Sequence, residues 1–335
     1  MNINRRHFLR ANTLLLMRWL VDSFWPRLPF LPKPPPPSKV GVLKITSYET
    51  DLFQVFLEVI PKLTIPEVKN KVVLLKPNLV EFEETRPIHT HPEVIRGAIK
   101  LFKYLGAKEV VVAEGPGHRR DTDYLIKASG WKAVCKEEKV IFVDLNTDNL
   151  LRARLKTNLS ELGELYLPET VLKADVVISL PKMKTHHWAG VTLSLKNMFG
   201  IVPGIKYGWP KNILHWKGIN KCIIDVNSTI RPEFAIVDGI IAMEGDGPIQ
   251  GNNIPANVIV MGDDLVAVDA TCCRIMSINP RKIKYLKLAH KNLGRMGESS
   301  IKYIGTNPHE MKRDFRVLKQ FEFIKERGFW RLLLE

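Results

Sequence analysis

Short runs of β-branched and aliphatic residues recur along the chain, and most are followed by a stretch with helical spacing. "KVGVLKIT" (39–46) precedes the apolar-periodic "DLFQVFLEVIPKL", and "KVVLLK" (71–76) precedes a loop and a helix over 91–105. "KEVVVAE" (108–114), "KVIFVD" (139–144), "ADVVIS" (174–179), "EFAIVDG" (233–239) and "ANVIVMG" (256–262) complete the series. Continuously apolar strands that alternate with helices predict an α/β fold, a mainly parallel sheet with helices on both faces. In the 91–105 stretch, Thr90 to Glu93 reads as a capping box with Pro92 in the first turn, and Gly106 supplies the stop.

In such a sheet ligands bind beyond the carboxyl ends of the strands. That rule selects five polar turns: "KPNLV", "EGPGHRRDTD", "LPKMKTHH", "DGIIAMEGDGP" and "GDDLVAVD", which are expected to share one cleft. Lys76 and Asn78 set a cation and an amide side by side at a strand end. Glu114, Gly115 and Gly117 form a glycine-bearing turn suited to a phosphate or carboxylate, without the spacing of a dinucleotide or triphosphate loop. Asp238 and Gly239, followed by Glu244 and Asp246, place three carboxylates among glycines, in reach of a cation or of acid/base work. Lys182, Lys184, His186, Lys196 and Asn197 supply point charges and a group titrating near neutrality. Lys184, His186, Glu244 and Asp246 are the catalytic candidates, and the other ten are binding candidates. His187 and Lys206 read as ordinary solvated residues. Asp269, inside an apolar helix, needs a partner, and Lys182 or Lys184 is the expected one. No paired-histidine spacing indicates a metal ligand set, so no metal residue is assigned.

Charge changes the picture through its placement. The net +15 over 335 residues lies in the ends: residues 1–40 carry +6, residues 281–335 carry +8 and the body carries +1. A nucleic-acid groove needs its charge on the body, so nucleic acid is not the expected partner; a small anionic ligand is. The start, Asn4 to Arg10, resembles a twin-arginine export motif, and the uncharged run after it, Ala11 to Met17, is too short to span a bilayer. Residues 1–30 therefore read either as an export leader or as a basic segment lying on a membrane surface, the chain otherwise being cytoplasmic. A proline-rich linker at 31–39 leads into the domain at 40–295, with a basic helical extension expected over 296–335.

Taken in order, "KPNLV", "THPEVIRGAIKLFKYLGAKEVVVAEGPG", "LPKMKTHHWAGVTLSLKNMFGIVPG", "AIVDGIIAMEGDGPIQG" and "GDDLVAVDATCCRIM" resemble the domain-of-unknown-function family 362 (DUF362) from about residue 40 to about 295. The resemblance implies a family of undefined activity in which some members carry twin-arginine leaders and others iron–sulfur modules. The four cysteines lack the cluster spacing, so no iron–sulfur cluster is expected, while a divalent metal or an organic cofactor stays open. Over one segment, "PKMKTHHWAGVTLSLKNMFGIVPG" is similar to lactate-racemase-like proteins, which use a nickel-bearing cofactor; Lys184, His186 and Lys196 are the matching positions. The expected function is an enzyme acting on a carboxylate- or phosphate-bearing substrate or cofactor, with proton or redox chemistry beside a carboxylate or carbonyl. The alternative is a non-catalytic, membrane-associated ligand- or cofactor-binding protein.

Overall fold

The computed structural model describes residues 36–290 and 292–326. All seven expected strands are present: β1 (Ser38–Lys44), β2 (Val72–Pro77), β3 (Glu109–Glu114), β4 (Ile141–Asp144), β7 (Val176–Leu180), β10 (Phe234–Glu244) and β11 (Asn252–Gly262). With β12 (Ile301–Gly305) they form one sheet in the order β12-β1-β11-β10-β7-β2-β3-β4. Among these eight, β11 alone runs against its neighbours, β1 and β10. A separate antiparallel hairpin joins β5 (Leu150–Arg154) to β6 (Glu164–Pro168).

Both faces of the sheet are covered. Val73, Leu75, Ile178, Ile236 and Ile259 point into one apolar core with helices Leu52–Val59, Pro92–Tyr104 and Trp131–Glu137. Their neighbours Leu74, Val177, Val237, Val258 and Val260 point into the other, with helices Ile219–Ile230, Leu265–Ile275 and Lys284–Ala289. This period-two division is why the strands read as unbroken apolar runs rather than alternating ones. The four cysteines are buried free thiols within these two cores.

Pro181 interrupts the line of β7. The chain continues as β8 (Lys182–His186), which runs parallel to the far half of β10 and pairs with the short β9 (Gly190–Thr192). Lys182, Lys184 and His186 are thereby placed beyond the edge where β7 ends. After β9 comes a one-turn helix, Ser194–Asn197, which carries Lys196.

Three expectations are corrected. The first turn of helix Pro92–Tyr104 is capped by His91, whose Nδ1 accepts from the Glu93 amide at 3.3 Å. The Thr90 hydroxyl is drawn inward instead, donating to the Leu180 carbonyl at 2.6 Å and accepting from the Asn78 amide at 2.9 Å. The segment expected as a helical extension contributes strand β12 to the sheet edge. Its later residues then return to β10, where Arg316 donates from its amide and Nε to the Glu244 carboxylate. Asp269 pairs with neither Lys182 nor Lys184: it accepts from the Ser194 amide (2.7 Å), the Leu195 amide (3.1 Å) and the Ser194 hydroxyl. It caps a neighbouring helix because the first amides of a helix have no partner of their own. The leader and proline-rich calls lie almost wholly outside the described residues. No described helix is long and apolar enough to cross a membrane.

Asp269 therefore fixes the turn that presents Lys196. Asp269→Asn turns one acceptor oxygen into an NH2 group facing an N–H donor, and should cost about 1–3 kcal/mol. Urea unfolding checks this as a lower midpoint at unchanged slope.

Candidate functional site

Strands β2 and β3 end side by side, and at that edge Lys76 and Glu114, both fully buried, form an ion pair. The Lys76 ammonium also donates to the Pro77 carbonyl (2.9 Å) and to Asn197 Oδ1 (3.2 Å). Asn197 in turn donates to the Lys76 carbonyl (2.8 Å) and the Ser179 hydroxyl (3.1 Å), and so binds the one-turn helix to two strands. Gly200 is required here, because a Cβ would run into the Glu114 carboxylate and the Lys76 ammonium.

Above this pair lies a cavity of about 410 Å3. Lys184, Lys196 and Lys211 line it together with His118, His186, His187 and His215; Asp246 and Glu114 are its carboxylates. Glu114 is already neutralised by Lys76, and Asp246 is half exposed, 3.6 Å from His187 Nδ1. The cavity thus carries more cationic than anionic groups.

Burial acts on each base. Lys184 donates to the Ile88 carbonyl (2.6 Å) and the Pro248 carbonyl (3.2 Å); desolvation, then the cations at Lys196 and Lys182, push its pKa well below the usual lysine value. Lys211 donates to the carbonyls of Gly115 (3.0 Å) and Gly200 (2.8 Å) and is lowered to about 7, chiefly by desolvation. Lys196 is also lowered to about 7, by desolvation and then by Lys76. Unlike the other two it makes no hydrogen bond or ion pair with described residues, and its ammonium rests 4.3 Å from the centre of the Phe199 ring.

His186 and His215 are held neutral in complementary forms. His186 Nδ1 accepts from the amides of Trp188 (3.0 Å) and Ala189 (3.3 Å), so its proton sits on Nε2. Desolvation and then Lys196 push its pKa well below 6.5. His215 Nδ1 lies 3.1 Å from the Lys211 carbonyl, to which it must donate, leaving Nε2 as an acceptor; desolvation lowers its pKa to about 4. His118 is lowered too, by desolvation and then Arg120. One imidazole offers a proton and the other a lone pair. Two further lining groups, Thr192 Oγ1 and Asn78 Oδ1, are buried with no hydrogen-bond partner among the described residues.

Four of the five expected turns meet at this cavity. The exception is "GDDLVAVD": it follows the antiparallel strand β11 and so leaves the sheet at the opposite edge, where Asp264 caps helix Leu265–Ile275 through the Ala267 amide. Of the candidates, Asn78, Glu114, Gly115, Gly117, Lys184, His186, Lys196, Asn197 and Asp246 line the cavity, and Lys76 lies beneath. Lys182 and Asp238 form a separate buried pair, with Asp238 also accepting from the Tyr48 hydroxyl (2.8 Å) and the His91 amide (2.9 Å). Gly239 packs between Met183 and Val258, and Glu244 is occupied by Arg316; neither lines the cavity. His187 does line it. Lys206 lies over the Tyr166 ring. Lys211, His215 and Thr192 were missed. Lys211 and His215 lie on a loop and a short helix, where no periodic pattern marked them. Thr192 sits inside the quoted motif but reads as an ordinary strand residue.

No three His, Cys, Asp or Glu side chains gather as a metal-ligand group among the described residues. His186, with Nδ1 occupied by two amides and Nε2 protonated, is not disposed as a ligand. A metal held by protein side chains alone is thus not supported among the described residues, and no step is routed through a nickel-bearing group.

Fold and cavity together define an α/β protein with a lysine- and histidine-lined cavity at the carboxyl edge of a mainly parallel sheet. The chain belongs to the family described as "Domain of unknown function (DUF362)", whose model matches residues 73–274. It is 29% identical over 228 residues to the thylakoid-associated protein sll1697 of Synechocystis sp., covering 66% of this chain and 68% of that one. Among solved structures, it is similar to the lactate racemase apoprotein from Thermoanaerobacterium thermosaccharolyticum at 14% identity and a TM-score of 0.46, covering 72% of this chain but 57% of that one. A second structure, a protein from Thermotoga maritima, matches at 16% identity and a TM-score of 0.38 over 64% of this chain and 55% of its own.

The buried, paired Lys76 and the half-buried, unpaired Lys196 respond oppositely to substitution. Glu114→Gln leaves Lys76 buried without its counter-ion and should cost about 3–5 kcal/mol. Lys196→Met removes an unpaired cation and should raise Tm at pH 7. Because Lys196 titrates near 7 when folded and near 10.5 when unfolded, the unfolded chain binds the extra proton between those values, so its contribution to stability rises with pH there. Lys196→Met should flatten the wild-type rise in Tm between pH 7 and 10, as read by calorimetry.

Proposed function

We propose that the protein is an enzyme that binds a small carboxylate- or phosphate-bearing molecule in this cavity and moves a proton on the carbon beside its carboxylate or carbonyl. One observation carries the reading: the buried Thr192 Oγ1 and Asn78 Oδ1 and the half-buried Lys196 ammonium line a single cavity, and none of the three has a hydrogen-bond partner among the described residues. Buried polar groups are almost always satisfied, and a cation without a counter-ion at such a site calls for an anion.

In this reading Lys184 and Lys211, each anchored by two carbonyls, hold the anionic group, and Thr192 and Asn78 orient the rest of the molecule. Proton removal next to a carbonyl places negative charge on oxygen. Fixed cations in a desolvated cavity stabilise that charge more than water would. His215 Nε2 is disposed as a proton acceptor, and His186 Nε2–H as a hydrogen-bond donor to the oxygen on which negative charge develops. Neither role needs a change of tautomer before the reaction. Glu244, occupied by Arg316, is not assigned a catalytic part.

Isothermal titration with oxalate and with inorganic phosphate tests the binding step. An anion binds the protonated lysines, so affinity should be level below pH 7. It should fall by up to about tenfold per pH unit above 7 for each lysine that must gain a proton. Lys196→Met should weaken binding at least tenfold, roughly 1.4 kcal/mol, without lowering Tm. Absence of binding by either anion, or affinity that is flat from pH 6 to 9, would sink the reading.

A further inference from the structure

We propose that Lys196 is a nucleophile that forms an imine with a small carbonyl compound bearing an anionic group, the 2-oxo acids being the simplest such class. This deepens the cavity reading above and rests on it.

Geometry separates Lys196 from the other lysines. Lys76 is locked to Glu114, Lys182 to Asp238, and Lys184 and Lys211 each to two backbone carbonyls. Carbonyl and carboxylate acceptors favour an ammonium, because a charged N–H donates a stronger hydrogen bond than a neutral amine does. Lys196 alone among these cavity-edge lysines has no such acceptor. It lies on the turn fixed by Asp269, above the Lys76 cation, in a wall shared with Phe199. A desolvated lysine with no carboxylate or carbonyl partner is the arrangement that keeps an amine neutral and nucleophilic. The lowering of its pKa to about 7 is consistent with that arrangement.

The step balances without a redox partner. The neutral Nζ attacks the carbonyl carbon to give a carbinolamine. The C–O bond then breaks, and the oxygen leaves as water with both former amine hydrogens. A proton from solvent leaves the product as an iminium, so the cation that faced the bound anion is retained. His215 Nε2 is disposed to relay the amine protons to the departing oxygen, and His186 Nε2–H to hydrogen-bond that oxygen as it leaves. An iminium also acidifies the neighbouring C–H, which connects this step to the proton transfer proposed above.

Hydride trapping tests it. The full chain is incubated with pyruvate and sodium cyanoborohydride at pH 7 and mapped by peptide mass spectrometry, while oxalate, which has no carbonyl open to imine formation, is titrated in parallel. The expected result is one reduced pyruvate adduct, on Lys196, blocked by oxalate and absent from Lys196→Arg. Its rate should fall about tenfold per pH unit below 7 as the amine protonates. Oxalate binding with no adduct at Lys196, or adducts spread over exposed lysines or placed on Lys211, would overturn the imine and leave the anion cavity standing. Failure of both pyruvate trapping and oxalate binding would overturn the two together.

Discussion

The ion pair between Lys76 and Glu114 is the interaction on which the candidate site depends. It sits where two parallel strands end, fully out of water, and each member would be costly to bury alone. Asn197 is hydrogen-bonded to the Lys76 side chain and backbone, and Gly200 is excluded from carrying a side chain by the pair. The Gly200 carbonyl, held in that position, is one of the two acceptors for Lys211. The pair therefore sets the floor of the cavity, the path of the chain behind it and the seat of one of its cations.

The second constraint is the disposal of carboxylates. Three carboxylates of the region are committed away from the cavity lysines: Glu114 to Lys76, Asp238 to Lys182 and Tyr48, and Glu244 to Arg316. Asp269, the fourth, is surrounded by Ser194 and Leu195 donors. What remains is a desolvated space in which lysines outnumber free carboxylates. An ordinary solvated cluster would compensate such charge with water and counter-ions; a cavity of this depth does so with difficulty, since burial penalises each charge. The depressed pKa values of Lys184, Lys196 and Lys211 express that penalty.

Much of this was legible in the residues. The apolar runs located all seven strands, because strands covered on both faces have no polar side to interrupt the pattern. The rule that ligands gather at the carboxyl edge then found four of the five turns. It failed at "GDDLVAVD" because strand direction is not written in composition: β11 has the same apolar content as its parallel neighbours and runs the other way. It also misassigned Glu244 and Gly239. Both lie on the long strand β10, but the partner that occupies Glu244 is Arg316, some seventy positions away, and no local pattern announces such a contact. Thr90 misled in the opposite sense, its capping signature overridden by the Leu180 carbonyl and the Asn78 amide. Lys211 left no signal, since a lysine in a turn gives no sign of its burial until the tertiary structure closes over it.

The uncompensated cations join stability to function in one ledger. A ligand that binds only the folded chain stabilises it by mass action, and an anion that restores charge balance to this cavity also relieves the desolvation the protein bears without it. The lysines that weaken the free protein are thus the ones that give an anion its affinity. Lys184 and Lys211, supported by carbonyls, give up part of that differential to hold their place. Lys196 gives up none: its turn is fixed by Asp269 and Asn197, so its amine needs no bond of its own to stay in position. Rigid backbone support beneath an unsupported amine is the physical difference between a lysine that anchors a ligand and one that reacts with it.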